Sequence, residues 1–244
     1  MKCLHGRALV SFAAASWPFV LAFMLMPAAQ VSAQVAGRVL VFGSSSVNGS
    51  FGRLIASELE RYGVPVVRRG YSAAGLARPD FHDMRETLGK MPLEHGVHSV
   101  VLYIGGNDAQ AMWLRPNERA GERRSDSWIW WNDERWSSVY EARAVGLIES
   151  VCARGVKHVI VLPPADVLSA RLQSRLDRVR KLLRSAAQSS ACGRFVSTAG
   201  DWNFFAFATE PLRTPDGIHM TLAGAQRVWH RMRDAVLKFT RATH

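Results

Sequence analysis

Short apolar runs alternate with amphipathic stretches from Arg38 to the C-terminal region. Arg38-Val39-Leu40-Val41-Phe42 is apolar after its first residue and ends on Gly43, the pattern of a strand buried on both faces. Phe51, Leu54, Ile55, Leu59 and Tyr62 then recur at helical spacing, and Gly63 closes that helix. A second strand is expected over Val64 to Val67, a glycine-containing loop over Gly70 to Pro79, and a helix over Phe81 to Met91. Ser99 to Ile104 reads as a third strand, stopped by Gly105-Gly106. Trp136, Val139, Tyr140, Leu147, Ile148 and Val151 form the stripe of a long helix, and Val159 to Leu162 is a fourth strand halted by Pro163-Pro164. Leu168, Leu172, Leu176, Val179, Leu183 and Ala187 mark another amphipathic helix, and Arg194 to Ser197 a short fifth strand. Val228, Trp229, Met232, Val236 and Phe239 mark the last helix. Strands alternating with helices predict an α/β fold: a parallel sheet covered on both faces, with its chemistry beyond the carboxyl ends of the strands.

The N-terminal stretch breaks this rhythm. Lys2 and Arg7 precede a run from Ala8 to Ala29 that is apolar apart from Ser11 and Ser16 and interrupted by Pro18 and Pro27. Val31-Ser32-Ala33 follows as a small-residue cleavage site, so residues 1–33 read as an export signal and 34–244 as one domain. The alternative is an uncleaved anchor, since the run approaches spanning length; Pro27 and the Val-Ser-Ala run favour cleavage. Cys3 precedes the apolar run and cannot be a lipidation site after cleavage, and no later segment is apolar enough to span a membrane. Cleavage takes Lys2 and Arg7 from a formal net charge of +11 and leaves a strongly basic chain. Such a protein is expected to contact anionic envelope polymers or lipid head groups. Export, and the lack of a recognition motif, argue against nucleic acid as a partner. Cys152 and Cys192 each fall at the end of a predicted helix shortly before a strand; a disulfide and two buried thiols are both open. No Cys or His spacing points to a metal site, and no cofactor is expected.

Three motifs carry candidate chemistry. Ser45 lies in Gly43-Ser44-Ser45-Ser46-Val47-Asn48-Gly49, a strand-to-helix turn that exposes a hydroxyl beside backbone N–H groups. Ser-rich turns also serve as ordinary helix caps, and Ser50 is placed to cap the helix that follows. Asp216 and His219 are three residues apart, a spacing that can bring a carboxylate to one ring nitrogen and leave the other facing a serine. A solvated Asp-Gly turn is the plainer account of that segment, and Thr221 is placed to cap the last helix. Asn107 follows a strand and two glycines, where its amide can donate to an oxyanion or merely close a turn. The segment is not a phosphate loop, because no Lys-Ser or Lys-Thr follows the glycines.

Gly-x-Ser near the start of the domain, a glycine loop after the second strand, Gly-x-Asn-Asp after the third and Asp-x-x-His near the C-terminus resemble the SGNH (GDSL-type) hydrolase superfamily, from Arg38 to about Thr240. The resemblance implies a three-layer, flavodoxin-like α/β/α sandwich with a mostly parallel five-stranded sheet. It implies Ser45 as nucleophile, His219 as base and Asp216 as its partner. It also implies an oxyanion hole from the Ser45 backbone, a loop glycine and Asn107. Ser44 and Ser46 stand where the usual motif has Asp and Leu. The loop glycine is Gly70 or Gly75. Gly75 is preferred, because Gly75-Leu76-Ala77-Arg78-Pro79-Asp80-Phe81, together with Trp136, Tyr140, Arg143 and Thr214 to His219, resembles a poorly characterised exported subgroup. An α/β-hydrolase elbow fits worse: it needs glycine at Val47, and its Asp and His lie far apart.

Between Ala109 and Trp136 the connection is long and holds five of the eight tryptophans, Trp113, Trp128, Trp130, Trp131 and Trp136, among Arg115, Arg119, Arg123, Arg124 and Arg135. It leaves the sheet directly after Asn107, so it is expected to border the site, with Trp130, Trp131 and Arg135 as substrate-binding candidates. The competing account is that these tryptophans pack the loop onto the domain, Trp136 most of all. The expected activity is an exported serine esterase or acyltransferase acting on O-acyl, chiefly O-acetyl, groups of an envelope glycan or of a small ester. A lipid esterase or thioesterase is the alternative enzyme. A catalytically inactive glycan-binding or assembly protein on the same scaffold is the alternative of another class.

Overall fold

The computed structural model describes residues 37–119, 127–200 and 209–241, which fall in one compact unit, Val35–His244. The expected export signal, Arg123 and Arg124 lie outside the described residues. Five strands form the main sheet: β1 (Arg38–Gly43), β2 (Val66–Gly70), β3 (Val97–Tyr103), β6 (His158–Leu162) and β7 (Gly193–Phe195). Their order is β2-β1-β3-β6-β7 and every pairing is parallel. A two-stranded antiparallel ribbon, β4 (Met112–Trp113) with β5 (Trp128–Ile129), lies apart from it. The helices are α1 (Ser45–Asn48), α2 (Ser50–Arg61), α3 (Met84–Gly89), α4 (Arg135–Cys152), α5 (Ala170–Ser189) and α6 (Leu222–Thr240).

Alternation along the strands divides the core in two, because successive side chains point to opposite faces. Val39, Val41, Val101, Ile160 and Leu162 pack with Phe51, Ile55 and Leu59 of α2 and Val228, Trp229, Met232 and Val236 of α6. Leu40, Phe42, Val100, Leu102, Val159 and Val161 pack on the other side with α3, α4 and α5. This is the expected three-layer α/β/α sandwich.

Element edges differ from the sequence expectation for local reasons. The second strand runs Val66–Gly70 rather than Val64 to Val67. Pro65 has no N–H to give a ladder, and Arg68 and Arg69 are tolerated because β2 is an edge strand. The third helix is shorter than Phe81 to Met91: Asp83 caps it by accepting from the N–H groups of Arg85 (2.9 Å) and Glu86 (3.1 Å). Ser169 caps α5, so Leu168 stays outside the helix. Ser50 is not a cap but the first residue of α2, whose N-cap is Gly49; Thr221 does cap α6, accepting from the Gly224 N–H at 3.1 Å.

Cys152, ending α4, and Cys192, just before β7, form a disulfide with a sequence separation of 40. It sits at the edge where the strands begin. The opposite, carboxyl edge carries a topological switch point, because the chain leaves β1 toward β2 on one side and reaches β3 on the other. Loops diverge there and leave a crevice.

Candidate active site

The turn after β1 and the loops after β3 and β6 meet the segment that leads into α6 at this crevice. They enclose a cleft of about 90 Å³ whose lining combines Ser45, Ser46, Asn107, Arg213 and His219 with apolar Val167, Leu172 and Leu176. Ser44 N–H donates to the Tyr103 carbonyl at 3.1 Å, which ties the serine turn to the end of β3. Of the three consecutive serines, Ser45 places its Oγ 2.8 Å from His219 Nε2. Ser44 is buried and Ser46 is a half-buried part of the lining.

His219, the candidate base, and Asp216 are set by a tight turn. Gly217 N–H donates to the Thr214 carbonyl at 2.8 Å, and Gly217 sits at φ +68°, a left-handed conformation open to glycine at little cost. Asp216 Oδ1 accepts from the Thr214 hydroxyl (2.7 Å), the Ile218 N–H (2.8 Å) and the His219 N–H (2.9 Å). Its Oδ2 lies 2.6 Å from His219 Nδ1. These donors hold the Asp216 carboxyl far below the usual carboxylate range, the His219 bond first and the Ile218 N–H and Thr214 hydroxyl after it. A carboxylate on Nδ1 assigns the ring proton to that nitrogen and turns the Nε2 lone pair to Ser45. Both side chains are partly open to solvent, at 41% for His219 and 46% for Asp216.

Asn107 lines the cleft, and its Nδ2 donates to the Ala74 carbonyl at 2.9 Å. An amide nitrogen carries two hydrogens, so one remains for a ligand. Gly75 lies against Asp108. It is not among the residues lining the cleft, and a Cβ on it would come within 2.2 Å of Asp108 Oδ1, so a side chain has no room at this position. Gly70 ends β2 and gives its carbonyl to Asn48 Nδ2 at 2.8 Å. The loop approaches Asn107 through Ala74, next to Ala73 at φ +54°.

The expected substrate-binding trio is dispersed. Trp131 packs edge-on against Trp136 (centroids 4.4 Å) under the guanidiniums of Arg175 (5.5 Å) and Arg178 (4.9 Å). It backs the cluster of Ala109, Val167 and Leu176 and is not in the cleft lining. Trp130 is 71% exposed, and Arg135 is an exposed side chain paired with Asp133 at 3.3 Å; neither lines the cleft. The physical reason is the turn from Trp130 to Asp133, closed by the Asp133 N–H on the Trp130 carbonyl at 2.9 Å, which carries the chain straight into α4. The same connection does present Trp113 opposite Trp128 across the β4–β5 ribbon, with Arg119 and Arg78 over their rings at 5.5 and 4.8 Å.

Sequence reasoning missed Arg213. Its guanidinium is buried in the cleft wall, donates Nη1 to the Ile218 carbonyl, and has its pKa lowered chiefly by burial. Nothing in its neighbourhood distinguishes it from a surface arginine except that it precedes Thr214-Pro215-Asp216. Asp108 is fully buried, and burial pushes its carboxyl up against the pull of the Ala77 and Leu76 N–H groups and the Tyr140 hydroxyl. Among the described residues no group of three or more His, Cys, Asp or Glu is placed to hold a metal ion.

A five-stranded parallel sheet in this order is the fold shared with solved SGNH-type structures, and the Ser after the first strand, the Gly-x-Asn-Asp after the third and the Asp-x-x-His before the last helix stand where the resemblance to the SGNH (GDSL-type) hydrolases expects them. Solved structures agree. A variant of an acetyl xylan esterase from Geobacillus stearothermophilus superposes with a TM-score of 0.60 at 15% identity, covering 85% of this chain and 97% of that one. A candidate SGNH hydrolase from Slackia heliotrinireducens does so with a TM-score of 0.54 at 17% identity, covering 82% and 99%. The chain belongs to the family described as a protein of unknown function (DUF459), whose model matches residues 38–235. No curated protein shows a significant sequence match.

Proposed function

We propose that this protein is an exported serine esterase or acyltransferase that removes or moves short O-acyl groups, chiefly acetyl, on an envelope glycan. The observation that carries the reading is the continuous hydrogen-bonded line from Ser45 Oγ through His219 to Asp216, at 2.8 and 2.6 Å, opening on a small cleft. Ser45 Oγ attacks the acyl carbon and gives its proton to His219 Nε2. The oxyanion is held by the Ser45 N–H, in the first turn of α1 where no intrahelical carbonyl accepts it, and by Asn107 Nδ2. His219 then passes the proton to the leaving alcohol, and Ser45 keeps the acyl group as an ester. Water or a second hydroxyl, deprotonated by His219, attacks that ester and restores Ser45.

The cleft volume of about 90 Å³ favours a short acyl group. Sites for drug-sized ligands run to roughly 300–1,000 Å³, so a cleft this small suits a short acyl group better than the long chain of a lipid ester. An acetyl xylan esterase among the structural neighbours is in keeping with an acetylated carbohydrate. The Trp113–Trp128 pair with its stacked arginines supplies aromatic faces and positive charge for an anionic glycan, and Trp113 N–H ties that ribbon to the Ala77 carbonyl at 2.9 Å. A disulfide suits an oxidising compartment and so supports the export signal read over residues 1–33. Among the described residues no helix is long and apolar enough to cross a membrane.

The test is a panel of acetyl, butyryl and long-chain esters beside O-acetylated glycans, run on wild type, Ser45→Ala and Ser46→Ala. Turnover should favour acetyl. Ser45→Ala should lose on the order of 10³-fold or more, with Ser46→Ala retaining activity. A fluorophosphonate should label Ser45. Failure to label, with no turnover of any ester, would establish the catalytically inactive scaffold instead.

A further inference from the structure

Asp108 has no part in the acyl-transfer steps, yet it is 0% exposed and its carboxylate is surrounded by donors. Its Oδ1 accepts from the Ala77 N–H at 2.8 Å and its Oδ2 from the Tyr140 hydroxyl at 2.9 Å. Gly75 lies against the same Oδ1 so closely that no Cβ fits. Arg143, 7% exposed, holds the segment from outside: Nη1 donates to the Leu76 carbonyl and Nη2 to the Trp113 carbonyl, each at 2.6 Å, with Glu118 balancing its charge. One residue before Asp108, Asn107 Nδ2 donates to Ala74, the first residue of that segment. Residues 74–77 are therefore stitched to the Asn107-Asp108 pair at both ends.

A buried carboxylate is costly to desolvate, a cost that an apolar side chain at the same place would not carry. What an apolar residue cannot supply is direction. Each carboxylate oxygen accepts along defined lines, from a loop N–H on one side and from a helix hydroxyl on the other. The Tyr140 ring is itself fixed, stacked on Trp136 at 4.9 Å and 9°. The loop is thus referenced to α4 through Asp108, and the Asn107 amide is referenced to the loop through Ala74.

We propose that Asp108 is a positioning residue that, with Tyr140, locks residues 74–77 so that the Ala74 carbonyl captures one Asn107 amide hydrogen and aims the other into the cleft. A donor held in place before the reaction needs no reorganisation when the oxyanion forms. The inference rests on the acyl-transfer reading of Ser45 and deepens it by naming what sets the geometry of its oxyanion donor.

Asp108→Ala would strand the Ala77 N–H and the Tyr140 hydroxyl in the core and is expected to misfold. Tyr140→Phe keeps the stacked ring and removes one hydroxyl, so it is the variant to measure. At a temperature well below unfolding, kcat for a chromogenic acetyl ester should fall about tenfold with KM within about twofold, because misaligning a donor costs part of what deleting it costs. In an Asn107→Ala background the same substitution should change kcat by less than about twofold, since the group being aimed is gone. An equal fall in both backgrounds, or an unchanged kcat in Tyr140→Phe alone, overturns the proposal and leaves Asp108 a packing residue. Wild-type protein that neither labels at Ser45 nor turns over esters sinks the acyl-transfer reading, and this inference with it.

Discussion

Replacing Asp216 by Asn isolates the one hydrogen bond on which His219, as the proposed base, would depend. Asp216 accepts four bonds. Three converge on Oδ1, from Thr214, Ile218 and His219, and an Asn Oδ1 can keep all three, so the turn should survive. The fourth, from His219 Nδ1 at 2.6 Å, is inverted, because the Asn amide nitrogen donates where the carboxylate accepted. His219 must then carry its proton on Nε2, facing Ser45, and cannot act as base. In buried triads this tautomer error costs roughly 10⁴ in kcat. Here the pair is 41% and 46% exposed, so water partly screens the lost charge and can help the ring exchange tautomers. We therefore expect a loss on the order of 10³-fold in kcat for an acetyl ester, with KM changed less than about threefold. Thermal unfolding of the variant supplies a second readout with a definite sign. The depressed Asp216 carboxyl contributes stability that is fully present above its unfolded value of about 4 and is lost as pH falls from there through the folded value. The contribution of the Asp216 carboxyl should make the gap in Tm between wild type and Asp216→Asn shrink as pH falls below about 4. A kcat within tenfold of wild type would refute the assignment of Asp216 as the orienting carboxylate.

Asn107→Ala should lower kcat on the order of 10²-fold with little change in Tm, as loss of one oxyanion donor does elsewhere; an unchanged kcat reduces Asn107 to a turn residue. Trp131→Ala should destabilise by about 3 kcal/mol in denaturant titration and reduce polymer and small-ester turnover alike. Trp128→Ala should instead weaken turnover of an anionic acetylated polymer more than that of a small ester, because remote contacts serve only a substrate that reaches them. Equal loss on both substrates would remove the ribbon from the binding surface. Reducing Cys152–Cys192 should cost about 4 kcal/mol of unfolding free energy on the chain-entropy account for a 40-residue loop. It should spare kcat, because the bridge lies at the far edge of the sheet; a fall in kcat at full folding would show that the two edges are coupled.

The layers of the fold were legible because strand and helix periods are local properties. Val39 to Phe42, Val100 to Leu102 and Val159 to Leu162 are apolar on both faces, and only a sheet covered on both sides buries such runs. Legibility failed where a single polar contact outweighed the pattern. Asp83 set the start of α3, which apolar spacing had placed earlier, and the Arg68-Arg69 pair hid an edge strand that the pattern ended at Val67.

The site divides along the same line. Ser45, Asn107, Asp216 and His219 can be named from the sequence, because each sits in a short motif whose local backbone makes a side chain available, and the Asp216–His219 contact is itself local, spanning one turn. The contact of Ser45 with His219 joins residues 174 positions apart and exists only because β1 lies inside the sheet, between β2 and β3, with α6 packed on the same side of the sheet as α2. The surroundings of Gly75, Trp131 and Arg213 depend on the same kind of contact. Chain chemistry made Gly75 look like a ligand loop and Trp131 like a sugar platform, and it did not single out Arg213. Tertiary packing set the first against Asp108, the second against Trp136 and the third in the cleft wall. Which groups a protein carries, and which turns they prefer, follows from bonds between near neighbours; which of them face a common cleft follows from how the layers bury their apolar faces, and that is decided by contacts between distant parts of the chain.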